Sequence, residues 1–323
     1  MSLYRNILKQ ALRSTWQNKY LWIFGLFASI LGTGGSYEIV VNGNINNTLL
    51  EIKKFIIDAQ IFNGNFFTNL ARLAITDPFS FFLVMFILVI VATLFLLTLY
   101  VSIVSQAALV NNVALIYSNK KHNFQIGLEK GKKKFLPVLS INIILKIVIF
   151  LVLIIISLPL TFNNRGEITI LQSTYYIISF ILLIPVVVIL SFISKYAIAY
   201  IVIKKNNVSQ SIQNAWNLFK KNWLISLEMA FILLLINIIF NFVLLLVILI
   251  LAIPFLLLFF AFYLLKSLIA IWAVIFVGFI SLFFVMSFAA AVLSTFQITS
   301  WTYLFIKLIN EGGVSKLIRT FSK

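Results

Sequence analysis

The chain reads as an all-α, polytopic helical membrane protein: about six transmembrane helices in three parallel repeats, each preceded by a cytoplasmic amphipathic helix. Three observations predict this. Of 323 residues, 62% are hydrophobic and only 10% charged, so no water-soluble surface can be assembled from them. Several uncharged runs reach the roughly 20 residues that a helix needs to cross about 30 Å of hydrocarbon, and none alternates with the period of an outer-membrane strand. Finally, a basic amphipathic stretch, clearest at residues 204–223, recurs along the chain. In that stretch Val208, Ile212, Ala215, Trp216 and Phe219 fall on one helical stripe, with Ser, Gln, Asn and Lys on the other faces.

Residues 3–17 carry the first copy, with Leu3, Ile7, Ala11 and Leu12 on one face and Arg5, Lys9 and Arg13 on the others. The apolar run 21–32 that follows is short for a span. It is expected to borrow the turn from Trp16 to Tyr20, with Lys19 reaching back to the interface. A basic region, a short apolar core and small residues also match signal-peptide grammar over residues 1–35, but the same unit returns later, where no cleavage applies. Residues 33–77 form the largest polar insertion. Turns are expected at Gly32, Gly34, Gly35 and Asn42–Asn44, a capping-box helix from Thr48 and Glu51, and a second helix over about 65–75. The insertion is nearly neutral, unlike the basic links, which places it outside.

Phe79 to Tyr117 contains no formal charge, and Asp77-Pro78 supplies its cap and first turn. Residues 124–135 then repeat the surface pattern, with Phe124, Leu128, Gly131 and Phe135 in register with Val208, Ile212, Ala215 and Phe219. Pro137 opens a third span to about Thr161. A fourth covers about 173–203, with Pro185 inside it, and a fifth begins near Trp223. Pro254 with Lys266-Ser267 marks the next outside turn, and residues 254–266 are expected either to be re-entrant or to belong to the span. The sixth span covers about 268–303. Residues 313–323 open a last surface helix, with Val314 and Ile318 in register with Val208 and Ile212. The whole is a single membrane domain of repeat units about 3–118, 122–203 and 207–310, with both termini on the cytoplasmic side.

The formal charge of +17 sits in the short links, which is the positive-inside pattern and not a nucleic-acid footprint. With no cysteine there is no thiolate metal site or cysteine nucleophile, and no cofactor is expected. His122, beside Lys120 and Lys121, reads as a solvated side chain. Catalytic signatures are missing: there is no H-E-x-x-H, G-x-S-x-G, P-loop or paired-carboxylate cluster, so no enzyme is expected. The sharpest local clues are charges inside spans, because each costs about 2.5–3.5 kcal/mol at the membrane centre. Glu228, Lys195 and Lys146 qualify. Glu228 and Lys195 lie at comparable depth, which predicts an ion pair, and Lys146 lies deeper, with Asn237 and Asn241 as further partners. The compact cluster Lys130, Lys132, Lys133 and Lys134 beside Phe135 matches a polybasic, aromatic site for anionic lipid headgroups.

Ala11-Leu12-Arg13-Ser14-Thr15-Trp16 running into Leu21-Trp22-Ile23-Phe24-Gly25-Leu26, and later Ser211 to Asn222, resembles a group of prokaryotic six-span proteins. That group includes the membrane domain attached to some glycerophosphodiester phosphodiesterases. The resemblance implies a multi-pass protein of a bacterial or archaeal inner membrane, associated with lipid. No phosphodiesterase catalytic domain is present, so that activity is not carried over. The expected function is therefore a non-enzymatic inner-membrane protein, associated with lipid or scaffolding a membrane-protein partner. The alternative is a small-solute or lipid transporter with its path near Glu228, Lys195 and Lys146.

Overall fold

The computed structural model describes residues 3–31, 65–161 and 170–310, and every regular element among them is helical. In order these are α1 (Leu3–Gln17), α2 (Leu21–Ser29), α3 (Asn65–Thr76), α4 (Pro78–Tyr117), α5 (Phe124–Lys133), α6 (Phe135–Thr161), α7 (Ile170–Ala199) with a π-helical turn (Tyr200–Lys204), α8 (Val208–Lys221), α9 (Trp223–Leu264) and α10 (Leu268–Asn310). Five of them, α4, α6, α7 with its π turn, α9 and α10, contain stretches long and apolar enough to cross a membrane. This is a helical, multi-pass membrane architecture. The expected turns at 32–44, the capping-box helix from Thr48 and the last surface helix over 313–323 lie outside the described residues.

Two compact units divide the chain, residues 1–36 with 102–323, and residues 37–101. In the smaller unit, Asp77 closes α3 and opens the next helix. Its carboxylate accepts hydrogen bonds from the Ser80 backbone N–H and hydroxyl, which hold it below the usual carboxylate range. The following turns expose Phe79, Phe82, Phe86, Phe95 and most of their aliphatic neighbours, as a lipid-facing helix does.

In the larger unit each surface helix leads into an apolar helix through a short break: residues 18–20 after α1, Lys134 after α5, Asn222 after α8. Asn123 caps α5 by accepting from the Ile126 N–H at 2.7 Å. The buried faces of the surface helices are narrow and built largely from small residues: Gly127 and Gly131 on α5, Ser211 and Ala215 with Phe219 on α8, Ile7 and Ala11 among others on α1. Small residues let the helix axes approach closely. A methyl group on Gly131 would lie 2.4 Å from the Val104 carbonyl oxygen of α4, and one on Gly25 of α2 would lie 2.0 Å from Thr295 Oγ1 and 2.5 Å from the Ala291 carbonyl oxygen of α10.

The sequence reading is corrected at two places. The first apolar run does not borrow residues 16–20, because α1 ends at Gln17 and a separate turn precedes Leu21. Trp22 reaches back across that turn and donates its indole N–H to the Thr15 carbonyl at 2.9 Å. Nor is there a turn at Pro254: α9 runs without a break through Pro254 to Leu264, so of the two expectations for residues 254–266 the structure has the one in which they continue the span, and the turn expected at Lys266-Ser267 is present. Proline removes a single backbone donor, whereas ending the helix there would strip several carbonyls of partners amid apolar side chains. The turn falls at Lys266, which adopts a left-handed φ of 52°. Lys266 N–H bonds the Tyr263 carbonyl at 3.0 Å and Ser267 N–H the Phe262 carbonyl at 3.1 Å, the two bonds of a Schellman closure.

Gly25→Ala is therefore expected to lower stability by about 1–3 kcal/mol through overpacking against backbone. Gly278→Ala, whose added carbon meets only the Phe255 ring at 3.3 Å, should stay within about 0.5 kcal/mol of the parent. Thermal unfolding of the detergent-solubilised variants measures both.

Candidate functional site

One end of the larger unit gathers charged and aromatic side chains. Glu228, on the second turn of α9, is half-buried and accepts a hydrogen bond from the Tyr4 hydroxyl of α1. Tyr4 itself is buried, so this bond pins the first turn of the amphipathic helix to a span. Farther along α1, Ser14 and Tyr303 of α10 share a hydrogen bond of 2.6 Å. One surface helix is thus fastened at both ends.

Lys195 takes a different partner. Its ammonium lies 4.5 Å from the centre of the Trp301 ring, a cation–π contact between α7 and α10. The next residue, Tyr196, bonds Ser226 of α9 at 2.7 Å, two residues before Glu228. The helices that carry Lys195 and Glu228 therefore meet at this level, but the two charges are turned to separate neighbours. From Trp301 an aromatic chain runs to the surface: Phe192 at 5.4 Å, Phe219 of α8 another 5.6 Å on, then Trp216 at 6.2 Å, with Lys220 5.0 Å above the Trp216 ring. Rings in offset and tilted contact weld α8 to α7 and α10 by area as well as by geometry.

Lys146 is placed apart from both. It lies on α6, exposed among the exposed side chains of Ile143, Ile147 and Phe150. Asn237 is half-buried and Asn241 exposed on α9. One turn before Lys146, Asn142 donates to Gln106 of α4 at 3.0 Å, a polar tie between two apolar helices.

The four lysines at the end of α5 stay together, and the fold adds a fifth. Lys205, set in a left-handed φ of 60° just after the π turn, acts on Lys130 together with Lys134 and Lys133. Burial first, and these like charges next, hold the Lys130 ammonium below the usual lysine range of 10.5. Two links far apart in sequence thus bring Lys205 and Lys130 within electrostatic reach of each other. His122 is not simply solvated: its Nδ1 pairs with the Tyr20 hydroxyl at 2.9 Å, and the two rings stack. Burial pushes the Tyr20 phenol up to about 12.

Sequence reasoning missed Tyr4, Tyr20, Trp301 and Lys205. Tyr4 stands one turn before Ile7 on the inner face of α1, so helical spacing could have found it. The rest have no periodic signal, because they act through contacts between distant segments. Comparison with known proteins finds no matching family model, no matching curated protein and no matching solved structure. The resemblance drawn from the 11–26 and 211–222 segments thus stands on those residues alone.

Tyr4→Phe removes a hydrogen bond to a carboxylate, worth about 1.5–3 kcal/mol at most in a half-buried site. Hydrogen–deuterium exchange should show faster exchange across residues 3–17, while amides of the α9–α10 hairpin beyond residue 245 keep their protection. Glu228→Gln retains an acceptor and should have the smaller effect.

Proposed function

We propose that this chain is a non-enzymatic integral membrane protein of a prokaryotic inner membrane that holds anionic lipid headgroups in the collar formed by Lys130, Lys132, Lys133, Lys134 and Lys205. The observation that carries this reading is the convergence of Lys205 on the α5 cluster, where Lys130 is already disfavoured as a cation by burial and like charge. Cationic side chains concentrated at the foot of membrane helices are neutralised most directly by phosphate from the adjacent leaflet. Exposed Trp16, Trp216 and Trp223 stand near the same end, as interfacial anchors do.

Six spans, in three two-span units, fit the placement of α1. Five spans alone would put α1 on the face opposite the α4–α5 link. The bonds from Tyr20 to His122 and from Ser14 to Tyr303 hold α1 on the same face as that link and as the end of α10, which supports one further crossing between α1 and α4. The register of small buried residues supports the repeat: Gly127 and Gly131 on α5 stand where Ser211 and Ala215 stand on α8. The transport reading draws less support. Around Glu228 and Lys195 the neighbours are hydrogen-bonded or in ring contact, and the described groove lies elsewhere, between the outer halves of α9 and α10, lined by apolar residues such as Leu251, Phe255, Gly278 and Leu282.

Native mass spectrometry of the purified protein with phosphatidylglycerol or phosphatidylcholine tests the proposal. Changing all five lysines to glutamine should weaken retention of the anionic lipid by at least about tenfold, at roughly 1 kcal/mol per lysine, and leave the neutral lipid unchanged. Equal retention of the anionic lipid by parent and variant overturns it. A pH dependence follows with a defined sign. A bound phosphate lifts Lys130 back toward 10.5, so binding takes up a proton and weakens as pH rises from the lowered value toward 10.5. That slope should be shallower in Lys130→Gln.

A further inference from the structure

The feature that the collar leaves unused is Lys146. Measured from the residue that ends the preceding surface helix, it lies twelve positions beyond Lys134, or about 18 Å along α6, in the middle of a hydrocarbon layer about 30 Å thick. Its side chain is exposed and shares one helix face with exposed Leu136, Ile143, Ile147, Phe150 and Ile154, an apolar stripe with a single charge at its centre. A four-carbon stem covers only part of the way back to the interface, so snorkelling leaves the ammonium within hydrocarbon. A cation at that depth persists where an opposite charge or a hydrogen-bond-accepting oxygen meets it.

Among the described spans, a second copy of this chain offers no carboxylate at that depth. Glu228 is the one carboxylate within the five described spans. It already accepts the Tyr4 hydroxyl, and it lies six positions beyond Asn222, about 9 Å along α9, so in a parallel copy it would sit about 9 Å shallower than Lys146. We infer that the 136–154 face of α6 docks a transmembrane helix of a different protein, which presents a carboxylate at mid-bilayer to Lys146 and apolar side chains to the rest of the stripe. The Gln106–Asn142 bond fixes α6 against α4 one turn below, so the face is presented by a braced helix. This inference stands independently of the lipid collar.

The test places a photo-crosslinking residue at Phe150 and irradiates native membranes. The expected result is an adduct with one other protein, mapped by mass spectrometry to an apolar segment holding Asp or Glu. Lys146→Leu should lower its yield about tenfold or more, the loss expected when one member of a buried ion pair is removed, and Lys146→Arg should keep it. Exchanging charges, Lys146→Glu against a lysine at the partner's carboxylate, should restore it. Monodisperse elution and unchanged thermal unfolding of Lys146→Leu in detergent show that the variant folds. An adduct unchanged in Lys146→Leu, an adduct only with phospholipid, or one only with a second copy of this chain overturns the inference.

Discussion

The C-terminal half of α10 is the post against which this end of the larger unit is built. Between Ala289 and Leu308 its side chains are largely buried, and Ser294, Thr295, Gln297, Thr299, Ser300 and Thr302 are all buried among them. Thr295, Ser300 and Thr302 return their hydroxyls to carbonyls one turn earlier, at 2.7, 2.8 and 2.8 Å, so the helix carries polar residues without exposing them. A helix with this face needs protein around it and not lipid, and α1, α2, α7 and α9 supply that cover. The approach of α2 at Gly25 leaves no room for even a methyl group, and Trp22 extends it by setting its indole edge-on to Phe288 at 5.2 Å.

That requirement explains why the charges sit where they do. Glu228 and Lys195 sit where amphipathic helices meet the long apolar ones, and each is answered locally, by a phenol and by an indole face. Neither is a bare charge in hydrocarbon. The positive groups at the end of α5 and after the π turn stay largely exposed. Polar and aromatic partners meet the charges inside, and those lysines stand outside.

Much of the fold was legible because apolar runs and basic interruptions are strong one-dimensional signals. The helix expected from Phe79 to Tyr117 runs from Pro78 to Tyr117, the one expected over 65–75 runs from Asn65 to Thr76, and the span expected near Trp223 begins there. Pro254 misled, because proline's punctuation is a rule of water: in hydrocarbon a helix with one missing bond outcompetes a break. The candidate site was legible only as a list of charges. Which partner each charge takes depends on rotation about helix axes, and a shift of one residue moves a side chain by about 100°, more than the uncertainty with which a homogeneous apolar run fixes its own face. Lys205 joined the α5 cluster through a left-handed turn that no periodicity encodes.

The Lys266 closure has a consequence for the pair of helices it joins. Helices α9 and α10, 42 and 43 residues long, are separated by only Leu265, Lys266 and Ser267. So short a tether leaves the two helices no freedom to part at this end: they must turn back on each other as an antiparallel hairpin, and the closure at Lys266 fixes where each begins.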